Sequence, residues 1–335
     1  MMNKKVVLAS RPQGEPTLQN FRFEESEIPE VKDGQVLLQT LFLSLDPYMR
    51  GRMNDTKSYV PPFKVGEELG GGTVAKVIAS KNSKFTQGDV VSAFTGWQTH
   101  AISSGEGLQK LDASQAPLST SLGVLGMPGL TAYTGLLTIG QPKTGETVVV
   151  AAATGPVGSA VGQIAKIKGA RAIGIAGGPE KCRALKDEFG FDVALDHRSS
   201  SFAAELKEAC PKGIDVYFEN VGGKVWEAVL PLLNNFARVP VCGLVSQYNA
   251  SAPPSGPDQL PNVMFHILSR RLTLRGFIVS DFQDQLPQFH KDMTAWIQEG
   301  RMKYKEDFVD GLARAPEAFI GMLKGKNFGK LIVRL

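Results

Sequence analysis

Cysteine is scarce in this chain. Three occur among 335 residues, Cys182, Cys210 and Cys242, too few for a disulfide framework or a four-thiolate zinc site. None falls in the first 181 residues, and His100 is the only histidine before His197. A catalytic zinc takes three protein ligands, usually Cys and His, and that stretch offers no such set. Asp46, Glu67 and Glu68 are oxygen donors for a harder ion, but no ligand spacing joins them, so no metal is expected. Long apolar runs are missing too, since none approaches the ~18 residues of a membrane span. The start, Met1 to Lys5 followed by Val6-Val7-Leu8-Ala9, is too short for a signal peptide. Charge of one sign is also lacking: 37 basic against 33 acidic side chains leave +4. That balance argues against nucleic acid or an anionic membrane as partner. A soluble, cytoplasmic protein is expected.

Glycine, by contrast, is abundant, with 36 residues against an average of about 7%. At about 150 residues per domain the length suggests two domains. The first ~120 residues read as β-rich: Val36 to Leu43, Gly72 to Ile78 and Asp89 to Phe94 are short strands set off by Pro61-Pro62, Gly70-Gly71-Gly72 and Gly105-Glu106-Gly107. After about Gly123 strands and helices alternate. Strands are predicted at Thr147–Ala152, Arg171–Ala176, Asp192–Leu195, Ile214–Glu219, Phe236–Cys242 and Leu272–Val279. Helices are predicted at Val157–Lys168, Glu180–Phe189, Phe202–Ala209, Val225–Leu233 and Asn262–Arg270. This alternation means an α/β fold with a doubly wound parallel sheet. Ser246 to Leu260 reads as a surface loop. Helices near Gln283–Gln298 and Ala315–Leu323 precede a strand-like tail, Gly329 to Arg334, able to return to the amino-terminal β-rich part.

The strongest motif is Ala152-Ala153-Thr154-Gly155-Pro156-Val157-Gly158-Ser159-Ala160-Val161-Gly162. It departs from Gly-x-Gly-x-x-Gly because Ala153 stands at the first glycine. Gly155 still lets the backbone approach a pyrophosphate, Gly158 allows tight packing, and the helix start supplies free N–H donors. An ordinary strand-to-helix turn is the bland alternative, but the setting between a buried strand and a helix favours a dinucleotide. An NAD site wants Asp or Glu about 20 residues on. Here that place is Ala176-Gly177-Gly178-Pro179, followed by Glu180, Lys181 and Arg183. A 2′-phosphate is welcomed by cations, so NADP(H) is favoured, with Lys181 the better candidate and Arg183 the weaker; a solvated helix face is the alternative for both.

Five further segments join the turn to a known family. Asp46-Pro47-Tyr48-Met49-Arg50-Gly51-Arg52-Met53, Gly126-Met127-Pro128-Gly129-Leu130-Thr131-Ala132-Tyr133 and Phe218-Glu219-Asn220-Val221-Gly222-Gly223, together with Cys242 to Asn249 and Asn327-Phe328-Gly329-Lys330, resemble the zinc-independent medium-chain dehydrogenases/reductases. The likeness is to the branch of leukotriene B4 12-hydroxydehydrogenase/prostaglandin reductase, plant alkenal double-bond reductases and bacterial curcumin reductase. It implies a GroES-like β-rich domain (residues 1–124 plus 302–335) and a Rossmann-type domain (residues 125–301), associated as a homodimer. It also implies NADPH-dependent reduction of the carbon–carbon double bond of α,β-unsaturated ketones or aldehydes. By the same resemblance Lys181 binds the 2′-phosphate, Tyr248 lies at the nicotinamide ribose, Asn220 and Asn327 contact the cofactor, and Tyr48 lines the substrate cleft. Relatives often carry Tyr where this chain has His197, and Ser where it has Gly178. The expected cofactor set is Gly155, Pro156, Val157, Gly158, Gly177, Lys181, His197, Asn220, Cys242, Gly243, Tyr248 and Asn327.

The chemistry expected is hydride addition to the β-carbon with charge developing on the carbonyl oxygen, so a fixed donor aimed at that oxygen lowers the barrier. Tyr248 follows the carboxyl end of a parallel strand, where ligands bind, and is the expected donor. The α-carbon proton comes from Tyr48, Tyr248 or water. Trp97 and Phe63 are candidates for an apolar pocket wall, though core packing suits either better. Two rivals stand beside this reading: a quinone reductase using NADPH, and an NADPH-binding sensor or scaffold without turnover.

Overall fold

Alternation of buried and exposed side chains builds the amino-terminal strands. The computed structural model describes residues 2–252 and 256–335. β1 (Met2–Leu8) and β2 (Phe21–Glu27) pair as an antiparallel ribbon that the sequence pattern did not reveal. β3 (Val36–Ser44) buries Val36, Leu38 and Thr40, and a bulge between Thr40 and Phe42 shifts the buried phase to Leu43 and Ser44. The first helix, α1 (Tyr48–Arg52), precedes β4 (Thr73–Ser80), β5 (Val90–Ala93), β6 (His100–Ser103) and β7 (Gln109–Lys110). Trp97 is buried with its ring stacked on Phe21 at 5.9 Å, and Phe63 lies in the same core, so both are packing residues here.

The next unit, Val124–Lys305, is doubly wound. α2 (Met127–Thr134) runs into a wider π-turn, Gly135–Gly140. Then come β8 (Thr147–Val150), α3 (Pro156–Ile167), β9 (Arg171–Ala176), α4 (Pro179–Asp187), β10 (Val193–Asp196), α5 (Phe202–Ala209), β11 (Ile214–Phe218), α6 (Gly223–Val229), β12 (Leu233–Val241), α7 (Leu260–Arg270), β13 (Thr273–Gly276) and α8 (Leu286–Gln298). The six strands are parallel in the order β10-β9-β8-β11-β12-β13. This order reverses direction of winding between β8 and β11, and ligands of such sheets bind at the carboxyl ends there. Val148, Val149 and Val150 are fully buried, as a central parallel strand requires. Each contributes about 1.5–3 kcal/mol of apolar burial.

Two expectations need correction in this unit. The strand predicted to Val279 ends at Gly276, because Phe277 and Phe282 turn into the core edge to face and Val279–Gln285 coils in tight turns ahead of α8. The loop predicted from Ser246 to Leu260 opens with a short helical turn, Val245–Gln247, and Leu260 already begins α7; residues 253–255 lie outside the described residues. On α7, Val263 and Ile267 pack inward, whereas Leu260, Met264, Phe265 and Leu268 stay 54–77% exposed.

The chain then re-enters the first unit, which comprises Met1–Gly123 and Glu306–Leu335. β14 (Glu306–Asp310) and β15 (Lys330–Arg334) flank α9 (Ala315–Leu323). β15 pairs antiparallel with β3, Val333 opposite Leu43, and parallel with β14, completing a mixed sheet. The fold is therefore α/β, a β-rich mixed-sheet domain plus a Rossmann-type parallel sheet. No described helix is long and apolar enough to cross a membrane.

Candidate dinucleotide site

The backbone leaves β8 through Ala152, the turn's one left-handed alanine at φ 50°. Gly155 N–H closes the turn on the Ala152 oxygen at 3.0 Å. Ala153, at the place of the first fingerprint glycine, is fully buried and has no positive φ, which is why an alanine fits there. Gly158 is a true requirement: a Cβ on it would sit 2.7 Å from the Ala153 Cα. Pro156 opens α3 without an N–H, and Gly155 brings no side-chain cap. The N–H groups of Val157 and Gly158 thus end the helix uncapped, the arrangement that receives a phosphate.

Beside this turn, β9 ends at Ala176 and β10 at Asp196. Asp196 Oδ1 accepts the N–H groups of both Gly178 and Arg198 at 2.9 Å, binding the two strand ends together. A Cβ on Gly177 would meet Arg198 Nε and His197 Nε2 at 3.0 Å each. Arg198 therefore lies over the Gly177-Gly178 turn, a place sequence reading gave only to Lys181, Arg183 and His197. Its signal was its position next to His197 at the end of the neighbouring strand. Burial, then the Arg198 charge, pushes the His197 imidazole below its usual range. Lys181 and Arg183 stand in the first turns of α4, Arg183 exposed.

Across the switch point, Asn220 Nδ2 donates to the Ala151 oxygen at 2.8 Å. Glu219, 2% exposed, accepts three donors on Oε1: Val221 N–H at 2.7 Å, Gly222 N–H at 2.8 Å and the Tyr217 hydroxyl at 3.0 Å. Its main-chain oxygen accepts the N–H groups of Cys242 at 2.9 Å and Gly243 at 3.1 Å. Val245 N–H in turn reaches the Asn220 oxygen at 3.1 Å. The loops after β11 and β12 are thereby one hydrogen-bonded piece. Tyr248 ends the turn Val245–Gln247, and a Cβ on Gly243 would sit 3.0 Å from its hydroxyl oxygen. Burial, then the Glu219 charge, pushes the Cys242 thiol up to about 12, so it stays protonated near pH 7.

In the first unit, Tyr48 opens α1 two residues after Asp46. Asp46 Oδ1 pairs with Lys330 Nζ at 2.7 Å, and Ser44 donates to the other carboxylate oxygen. Burial, then the Asp46 charge, pushes the Tyr48 phenol above its usual range. Asn327 Nδ2 donates to the Gly329 oxygen at 2.9 Å and lines a cavity of about 360 Å³ with Asp307, Arg314 and Lys326. The carboxylates weighed as metal donors are taken by cations: Asp46 by Lys330, Glu67 by Lys64 at 3.2 Å and Glu68 by Lys5 at 3.8 Å. Among the described residues no group of three His, Cys, Asp or Glu is placed to hold a metal ion.

Residues 4–111 match the family described as the N-terminal domain of oxidoreductase, and residues 156–296 the family described as zinc-binding dehydrogenase. The donor set does not fit the zinc of that second description. The NADPH-dependent curcumin reductase of Escherichia coli (strain K12) is 57% identical over 335 residues, covering 99% of this chain and 97% of that protein. The NADP(+)-dependent 2-alkenal reductase of Nicotiana tabacum is 40% identical, covering 99% of this chain and 97% of that protein. The crystal structure of CurA from Vibrio vulnificus in complex with NADPH superposes with a TM-score of 0.96 at 54% identity, covering 99% of this chain and 98% of that one.

Proposed function

The chain belongs to the zinc-independent medium-chain dehydrogenase/reductase family, and from that premise we propose that it is an NADPH-dependent reductase of the carbon–carbon double bond of α,β-unsaturated ketones and aldehydes. The observation that carries this reading is the crest of the parallel sheet, where an uncapped helix start, a cation-lined strand edge and the segment bearing Tyr248 are joined by main-chain hydrogen bonds. When bound, NADPH supplies the hydride that adds to the β-carbon. Val157 and Gly158 N–H groups hold the pyrophosphate at the Gly155 turn, with Pro156 fixing the helix start. Lys181, Arg198 and His197 hold the 2′-phosphate, and Gly177 leaves room for it. Asn220, Cys242 and Gly243 seat the nicotinamide half through the loops they join. Tyr248 donates to the carbonyl oxygen as charge gathers on it.

Enone reduction separates from the rival readings in one assay of NADPH oxidation against an alkenone and a small quinone. Faster turnover of the enone is expected; preference for the quinone would make the chain a quinone reductase, and NADPH binding without oxidation of any acceptor would make it a sensor. A charge-assisted hydrogen bond is worth about 1.5–3 kcal/mol, so Arg198→Leu is expected to cut the NADPH-over-NADH preference at least about tenfold in kcat/KM. An unchanged ratio would remove Arg198 from the phosphate site.

A homodimer is part of the same proposal. Leu260, Met264, Phe265 and Leu268 form an exposed apolar face on α7, which leads directly into the edge strand β13. Such an edge next to apolar surface suits a second copy of the chain. Light scattering is expected to give twice the 36.1 kDa chain mass, and Phe265→Glu with Leu268→Glu to return it to the chain mass; a monomeric parent would refute the dimer. The three free cysteines agree with a reducing compartment, and the cytoplasm is the proposed location.

A further inference from the structure

The Glu219 carboxyl takes no part in the chemistry proposed above, yet it lies at the centre of the crest. Its two oxygens are unequal. Oε1 accepts three donors, while Oε2 is buried and has no hydrogen-bond partner. The groups bearing on the carboxyl are the Asn220, Val221 and Gly222 main-chain N–H groups, the Tyr217 hydroxyl on the preceding strand β11, and the Cys242 thiol just after β12. No cation is among them. A buried carboxylate with one bare oxygen and no countercharge is costly. The neutral acid keeps Oε1 as a carbonyl acceptor for the three donors and carries its proton on Oε2. Burial acts in the same direction, pushing the group above the usual carboxylate range.

Three segments depend on this acid. Its Oε1 closes the turn through Gly222 and Gly223, at φ 73° and 54°, which sets Asn220 against the end of β8. Its main-chain oxygen and that of Asn220 receive the start of the Tyr248 segment. We propose that Glu219 is a positioning residue for the dinucleotide, holding Asn220 and the Tyr248 segment in register as an uncharged acid. The proposal rests on NADP(H) being the ligand of this crest.

The sign of the pH effect follows from the neutral form being the working one. Binding is at full strength below the folded-state pKa of Glu219 and weakens as pH rises through it. The test is calorimetric titration of the full chain with NADP⁺ from about pH 6 to about pH 9, on the parent, Glu219→Gln and Glu219→Ala. Gln keeps the acceptor oxygen and cannot ionise. It is expected to bind within about twofold of the parent at the acid end and to lack the parent's loss of affinity as pH rises. Ala, which leaves the Val221 and Gly222 N–H groups without their acceptor, is expected to bind about tenfold more weakly throughout. Parallel profiles of parent and Gln, or a Gln variant as weak as Ala, would overturn the proposal. Should Ala fail to fold, the parent and Gln profiles decide alone. The 2′-phosphate titrates alike in both and cancels from their ratio. If the parent binds no NADP⁺ at any pH, the cofactor reading falls and this proposal with it, whereas binding with parallel profiles overturns only this one.

Discussion

Replacing Tyr248 by Phe is expected to lower kcat about 10²–10³-fold while leaving the KM for NADPH nearly unchanged. The reason is where the charge goes. Hydride addition at the β-carbon leaves negative charge on the carbonyl oxygen, and a donor already fixed beside that oxygen needs no reorganisation as the charge grows. Tyr248 is the group proposed for this role, its segment being tied through Val245 and Gly243 to Asn220 and Glu219. Removing the hydroxyl removes an interaction made most strongly in the transition state, so the loss belongs to kcat. Steady-state kinetics with NADPH and a simple alkenone measure it. An unchanged kcat would take Tyr248 out of the mechanism, and a loss confined to KM would make it a binding residue.

The second large effect is expected in stability. Lys330 and Asp46 side chains are 3% and 7% exposed, and Lys330 Nζ also donates to the Leu45 oxygen at 2.8 Å. Lys330→Met strands the Asp46 carboxylate in the core beside the Ser44 hydroxyl. Breaking a buried pair from one side costs about 3–5 kcal/mol, which is roughly 10²–10³-fold or more in the folding equilibrium. Adding Asp46→Asn removes the uncompensated charge and is expected to recover much of that loss, because replacing both partners of a buried pair is often near neutral. Urea unfolding of the parent, single and double variants reads this. A single variant within about 1 kcal/mol of the parent would show that the pair is not needed.

The parallel sheet was legible because its strands, buried on both faces, are continuous apolar runs such as Thr147 to Val150, and helices of regular spacing separate them. The ribbon of β1 and β2 was not. Phe21–Glu27 carries three glutamates and buries only Phe21, so no apolar face announced it. β13 was drawn too long for the opposite reason: Phe277, Ile278 and Val279 continue the apolar run although the chain has already turned. At the site, the glycine turn and the missing carboxylate after β9 were read from spacing. Arg198 escaped because it comes from the next strand over, and sequence distance from the turn says nothing about that neighbour. The Asp46–Lys330 pair joins two motifs that looked separate, and 284 positions of sequence hide it.

Strand β15 comes from the far end of the chain, and this orders events at the ribosome. Residues 124–305 must be made before β14 and β15 can emerge. At about 5–20 residues per second, that is a wait of roughly 10 to 40 s. Through that interval Phe42, Leu43 and Ser44 have no outer partner, and Asp46 has no lysine beside it. A nascent chain in this condition presents an unpaired apolar margin, the kind of surface that chaperones hold and that neighbouring chains on a polysome adhere to. The nucleotide-binding unit, contiguous in sequence, can close first.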